Sequence, residues 1–370
     1  MVLGAKFGVR LGVAVVAAML AACASPPDDG GAGGDVGGNG MGSDPAAPTA
    51  VTPGNPADPA AAGGDPTRGD APTDADPDAD ADPNAPSPSD DPTLPAATQA
   101  QLVKAFAPRL HLHSDDTTRP ANVDWYLSRV SMRYNHPNCP DHEILALGKV
   151  TQAALGVQSH PDDKSFCQHD GSDVRKSGSD EGFFIQVANH ATYDGAPRSE
   201  WKTYVVWRPK AAGLVDIEYW AFYAYNDGFL TFNHEADWEH VTVSIDPKGN
   251  DAQGKALKVF FSAHKGGTTL NVGDPKLEMD GNHPISYVAK GTHANYSKPG
   301  QYTIPGIPLG VAKDDAKAAA PADVWKTEGT TVLVGTRTAP KNNQVFVKYW
   351  GRWGQIGANS ETSGITRHFP

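Results

Sequence analysis

Three residues near the middle of the chain, His234, Asp237 and Glu239, have the types and spacing to hold a metal ion. If Trp238–Ile245 is a strand, its side chains alternate between two faces. Asp237 and Glu239 then share the more apolar face, the expected core side, with Val241, Val243 and Ile245. Two ionised carboxylates at the rim of a core are costly unless they are paired or bind a cation. His234, just ahead of the strand, is placed to fold back onto them. Asn226 or Asp227, at the end of the preceding run, would close the set from a neighbouring loop. Such an oxygen-rich donor set favours Ca²⁺, Mg²⁺ or Mn²⁺ over Zn²⁺. Read without a metal, the same acids are solvated at an exposed strand end or paired with Arg.

Other residues are candidates for supporting roles. His264 ends an apolar run ahead of Lys265-Gly266-Gly267, read as a loop, and His293 sits in a turn between Thr292 and Ala294. Each is a candidate ligand, ligand partner or general base, and equally a hydrogen-bonded structural histidine. For His111 and His113 a structural role is expected. Trp350, Arg352 and Trp353 suggest an aromatic platform for a sugar ring, with core packing as the commoner use of such residues. Cys139 and Cys167 suit a disulfide in an oxidising compartment, closing a loop of roughly 28 residues worth about 3 kcal/mol. Cys139-Pro-Asp-His142 with Cys167-Gln-His169 is the rival, a zinc site. No Gly-x-Ser-x-Gly, His-Glu-x-x-His or phosphate-loop motif is present.

The elements that must position these residues are mostly strands. Phe183–Val187, Thr203–Trp207, Val215–Tyr225, Trp238–Ile245, Leu257–Ser262, Ile285–Ala289, Thr331–Val334 and Val345–Trp350 are rich in Val, Ile and aromatic residues and are bounded by turn formers. A short helix is expected from a Thr98/Gln101 capping box to Pro108, and a helical turn through Trp125 and Leu127. Residues 135–181 read as an irregular insertion, apart from a helix near Glu143–Val157. Many strands with few long helices predict a mainly β fold, a β-sandwich or jelly roll.

The run Asn233 to Glu239, Asn-His-Glu-Ala-Asp-Trp-Glu, followed by His-Val-Thr-Val, resembles the central motif of the necrosis-inducing protein family, Gly-His-Arg-His-Asp-Trp-Glu followed by His-Val. That resemblance implies a β-sandwich on which the residues matching His234, Asp237 and Glu239 ligate a divalent cation. The fourth ligand aligns best with Asn226, with Asp227 one residue on. Ala236 stands where that family has His. It also implies recognition of membrane glycolipid head groups. A longer resemblance, over residues 104–370, is to the vacuolar protein sorting-associated protein 62 family. It rests on Phe-Ala-Pro-Arg-Leu-His-Leu-His at 106–113, Val-Asp-Trp-Tyr-Leu at 123–127, the stretches 219–228 and 234–243, Val-Phe-Phe-Ser-Ala-His at 259–264, Tyr-Val-Ala-Lys-Gly-Thr-His-Ala-Asn-Tyr at 287–296, and Trp-Gly-Arg-Trp-Gly at 350–354. This family's name implies little about biochemistry.

The N-terminus carries a different message. Lys6 and Arg10 precede an apolar run, Leu11 to Leu20, of roughly ten residues, too short for a span of about 20. Leu20-Ala21-Ala22-Cys23 resembles a bacterial lipobox and closes a lipoprotein signal segment, residues 1–23, which implies cleavage just ahead of Cys23 and acylation of that cysteine. More than one acyl chain gives stable anchoring. With Ala24 and Ser25 following and no Asp, the outer membrane or cell surface is the expected address. Residues 24–97 hold fourteen Asp, no Glu and one Arg, with almost no large apolar residues. They are expected to be a disordered tether on the order of 50 Å or more end to end. Residues 98–370 carry all eight Trp and are close to neutral, although the whole chain is −12. A neutral domain gives no charge argument for nucleic acid. Three functions remain open: a surface-displayed module binding glycans or membrane glycolipids, a metal-dependent hydrolase using His264 or His293 for proton transfer, and a structural envelope protein. Oligomeric state is not legible.

Overall fold

A computed structural model of the chain describes residues 94–136, 139–157, 182–228, 233–264, 266–304, 312–349 and 351–354, without the side chains of 136, 139–141, 251 and 252. The fold is mainly β. Its backbone is the long antiparallel hairpin of Val215–Asn226 and His234–Asp246, paired from Val215↔Ile245 to Asn226↔His234. The first strand is dominated by β-branched and aromatic residues, and the second carries them from Val241 to Ile245, where they fit a pleated surface. Around them lies a seven-stranded sheet in the order Gly266–Asn271, Lys255–Ala263, His234–Asp246, Val215–Asn226, Thr203–Pro209, Thr331–Leu333, with Pro120–Ala121 also on Val215–Asn226.

A second sheet runs Met279–Asp280, His283–Val288, Arg109–His111, Val324–Lys326, with Asn295–Tyr296 also on His283–Val288. Arg109–His111 lies in its interior, parallel to Ile285–Tyr287 on one side and antiparallel to Val324–Lys326 on the other. Phe106 and Ala107, just before it, are fully buried. One apolar core collects Leu110, Val288 and Trp325 of this sheet with Val241, Val243 and Ile245 of the first.

Several expectations need correction. The first helix is Ala96–Ala105, with Pro95 at the N-cap and no side-chain cap, so Thr98 does not open a capping box. The turn through Trp125 is Val123–Leu127, and there the Asn122 side chain does accept the Trp125 N–H at 2.8 Å. Within the supposed irregular insertion, Cys139–Leu145 is a strand that forms a three-stranded sheet with Val130–His136 and Gly182–Val187, which flank the insertion, and the only helix described there is Gln152–Leu155. Val345–Lys348 is a 3₁₀ turn rather than a strand. Phe346 and Val347 are both buried, which an alternating strand with one wet face would not allow. Gly266 and Gly267 belong to a strand, not a loop; a Cβ on Gly267 would lie 2.2 Å from the Phe261 carbonyl oxygen. Cys23, Cys167 and Trp350 lie outside the described residues, as do the Cys139 side chain and the stretch 1–93.

Candidate functional site

The chemistry-bearing residues gather at the turn end of the long hairpin, where Asn226 pairs with His234. Asp237 and Glu239 lie across from Tyr223 and Ala221 and are buried, as are Val241, Val243 and Ile245 further along the strand. The face predicted from alternation is therefore the one observed. Between His234 and Asp237 the strand passes through Ala236, a fully buried non-glycine residue at φ 59°. The left-handed region costs an L-residue about 1–2 kcal/mol, so surrounding structure must hold it there.

Asp237 accepts a hydrogen bond from His293, with Oδ2 2.8 Å from Nδ1. His293 is buried, at φ 54°, and its ring lies flat on Tyr223 with centroids 3.8 Å apart. Its Nε2 comes to 3.6 Å from the carboxylate of Asp116, which also accepts the Gly291 N–H at 2.8 Å. Glu239 accepts the Ser262 hydroxyl from the neighbouring strand. Ser262 Oγ in turn accepts the His240 N–H at 2.9 Å and lies 3.5 Å from the Asn295 amide of the second sheet. Burial pushes the Glu239 carboxyl well above the usual carboxylate range. The neighbouring charges of Asp237 and Asp314 push it the same way, and hydrogen bonds from Ser262 and Asn295 only partly offset them.

A second acid of this cluster behaves oppositely. Asp314 is buried and accepts from Thr292 Oγ1 at 2.7 Å and Tyr296 OH at 2.5 Å, and its Oδ2 lies 2.7 Å from His264 Nε2. Burial pushes its carboxyl up, but hydrogen bonding and charge from His264, with help from Tyr296 and Thr292, outweigh this and hold it low. The His264 side chain is 23 % exposed and stands at φ 57°. Three left-handed non-glycine residues, Ala236, His264 and His293, thus surround the acids.

Of the predicted ligands, the two acids come together and His234 does not join them. His234 Nε2 lies 3.0 Å from the Asn226 amide nitrogen and Nδ1 2.8 Å from the Ala236 carbonyl. The strand begins at His234 rather than after it, so the ring faces its cross-strand partner Asn226. Asn226, not Asp227, meets His234. Asp227 is exposed and accepts from the Asn233 amide at 3.3 Å, while its N–H donates to Gly291 O at 2.9 Å. Among the described residues no three His, Cys, Asp or Glu side chains are placed to share an ion. Only the two carboxylates of the predicted donor set come together, while His234 and Asn226 pair with each other.

Sequence reasoning passed over Asp116, Ser262, Asn295, Tyr296 and Asp314. Ser262, Asn295 and Tyr296 sit inside the blocks 259–264 and 287–296, which already carried a signal; Asp116 and Asp314 lie outside every block. Glu235, inside the motif, has other work. It accepts the Val187 N–H at 3.1 Å and the Tyr193 hydroxyl at 2.9 Å, tying the hairpin end to a neighbouring loop. Arg352 and Trp353 follow the commoner of the two readings, core packing, and do not form a sugar platform: both are buried, and Trp353 packs edge-on against Trp238 and Phe346. His113 is buried and accepts the Asp115 N–H through Nδ1, as a structural histidine would.

The family model of vacuolar protein sorting-associated protein 62 matches residues 87–365, which takes in every element of the site. The chain belongs to that family. Among solved structures it is similar to the non-toxic HaNLP3 protein (14 % identity, 74 % of this chain and 89 % of that one, TM-score 0.35). It is also similar to necrosis and ethylene inducing protein 2 from the causal agent of cocoa's witches' broom disease (15 % identity, 58 % and 70 %, TM-score 0.29). A third is NLPPya in complex with glucosamine (15 % identity, 65 % and 80 %, TM-score 0.29). Superpositions this loose leave the family match as the basis of the assignment. No protein of curated function matches the sequence.

Proposed function

We propose that this vacuolar protein sorting-associated protein 62 domain is a cation-dependent recognition module for glycans or glycolipid head groups. It would be presented on the cell envelope, outer membrane or cell surface, by lipid on Cys23 and the acidic stretch 24–97. One observation carries the reading. Asp237, Glu239 and Asp314 are all buried, the charges of Asp237 and Asp314 both raise the Glu239 carboxyl, and among the described residues no Lys or Arg lies within ion-pair distance of any of them. Buried acids in that condition take up either protons or a cation. The oxygen donors favour Ca²⁺, Mg²⁺ or Mn²⁺. The motif Asn233–Glu239 supports the same choice by its resemblance to the necrosis-inducing family.

The test is elemental analysis of the full chain with calorimetric titration of Ca²⁺, Mg²⁺ and Mn²⁺, repeated on Asp237→Ala and His234→Ala. Uptake of one divalent ion by the wild type, lost in Asp237→Ala, supports the reading. A wild type that takes up none defeats it. A glycan array with and without chelator then tests the recognition half.

A hydrolytic reading has its own support in His264. It is partly exposed, and its partner Asp314 is fixed by two further donors, the arrangement that orients a general base. Release of product from glycan or ester substrates that ceases in His264→Ala, with the fold intact, would favour it over binding alone.

A further inference from the structure

Outside the acid cluster, a cavity of about 270 Å³ opens beside the one-turn helix His190–Asp194. Its polar lining is Ser128, Arg129, Asn189 and Thr192, and its apolar wall includes Leu147 and Ala191. Leu147 is 53 % exposed, unusual for a leucine among the described residues.

Arg129 is the feature that gives this cavity a chemistry. Its guanidinium lies over the Trp125 ring, 4.1 Å from the centroid. One Nη donates to the Trp125 carbonyl at 2.8 Å and to Ser128 Oγ at 2.7 Å. The stack and the two hydrogen bonds fix the plane of the fork. Among the described residues no carboxylate pairs with Arg129, and its Nε and other Nη have no protein partner. A pre-set guanidinium edge with spare donors is matched by a planar carboxylate, which it binds through two parallel hydrogen bonds. The remaining groups are those that hold a sugar ring: short hydroxyl and amide side chains for its hydroxyls, and Leu147 with Ala191 for its apolar face. The volume falls just under the roughly 300 Å³ at which drug-sized sites begin, which suits a single ring.

We infer that this cavity is a binding site for a carboxylate-bearing sugar ring, a uronate unit, with Arg129 clamping the carboxylate. It shares no residue with the Asp237–Glu239 cluster and stands or falls separately from the function proposed there.

The probes are glucuronate, galacturonate and glucose, titrated against the full chain by ligand-observed NMR, with thermal melting as the check on folding. The wild type is expected to bind at least one uronate roughly tenfold or more tighter than glucose. Arg129→Gln is expected to remove that preference. Should Arg129→Gln melt early, Ala191→Gln fills the cavity from an exposed position and is expected to abolish binding with melting unchanged. Asp237→Asn is expected to leave uronate binding intact. Failure of both uronates to bind the wild type overturns the inference, as does equal binding of glucose. So does uronate binding that survives Ala191→Gln or disappears in Asp237→Asn.

Discussion

Two glutamates on adjacent strands of the same sheet, Glu218 and Glu239, are about equally buried and end in opposite states. Burial pushes the Glu218 carboxyl up, but the charge and hydrogen bond of Arg208 outweigh it, and Trp220 Nε1 donates to the other oxygen at 3.1 Å. Glu218 is therefore held below the usual range. Glu239 has a serine and an amide in place of a guanidinium and two acids as neighbours, so it is held well above. Burial sets the same penalty for both; the nearby charge decides which protonation state survives. The Arg208–Glu218 pair behaves as finished structure, whereas the Asp237–Glu239 end is a place where a positive charge is still wanted.

The comparison breaks most sharply if Arg208 is removed. Arg208→Met should destabilise the fold by about 3–5 kcal/mol in chemical denaturation, because Glu218 is left as a buried charge without its cation. Arg208→Met with Glu218→Leu should recover most of that loss. If the single variant is neutral, the ion pair is not what stabilises this part of the sheet.

The pH dependence of stability sharpens it next. Glu218, with a depressed folded pKa, stabilises the fold above the ordinary glutamate range, and that stability is lost as pH falls through the folded value. Glu239, with a raised one, carries no penalty below the ordinary range and costs stability as pH rises from there towards its folded value. Glu239→Gln should therefore gain on the wild type across that window, by about 1.4 kcal/mol for every step of one in pH. Adding a divalent cation should close that gap by raising the wild type alone. A parallel pH profile for the two proteins would contradict the assignment of Glu239 as the strained acid.

Ser262→Ala should cost about 1–2 kcal/mol, since it strips a donor from Glu239 and an acceptor from the His240 N–H. The smallest expected change is a gain. Ala236→Gly relieves the left-handed backbone and should stabilise by about 1 kcal/mol in the same denaturation assay. No gain there would mean that the Ala236 methyl packs well enough to offset the backbone cost.

The parts of this molecule that can be read from sequence are those governed by local pattern. Val215–Asn226 is legible as a nearly unbroken run of β-branched and aromatic residues, and His234–Asp246 because Val241, Val243 and Ile245 alternate with Thr242 and Ser244. The same alternation runs through Val130–Asn135, where Val130, Met132 and Tyr134 are buried and the residues between them half-exposed, but it is too short to stand out against the polar stretch that follows. Its partner strand Gly182–Val187 lies some fifty residues on, and sequence gives no register for a pairing that distant. At the site, alternation puts Asp237 and Glu239 on one buried face, but nothing local tells that His234 extends the ladder instead of folding back. Nor does any pattern announce that Asp314, about seventy-five residues downstream, arrives beside Glu239. That is a product of sheet packing, and it carries as much of the electrostatics as the motif does.

The position of Arg109–His111 has a mechanical consequence. This short strand sits in the interior of the second sheet, held on both edges, and the helix leading into it buries Leu102 and Val103 in the core. Any load borne by the chain ahead of Leu94 enters the domain through that helix and strand, so it meets the core before it meets a single surface loop. A shortened version that starts beyond residue 111 would lack the seam on which the 283–288 and 324–326 strands close. Trimming at that end should yield an insoluble product rather than a smaller working domain.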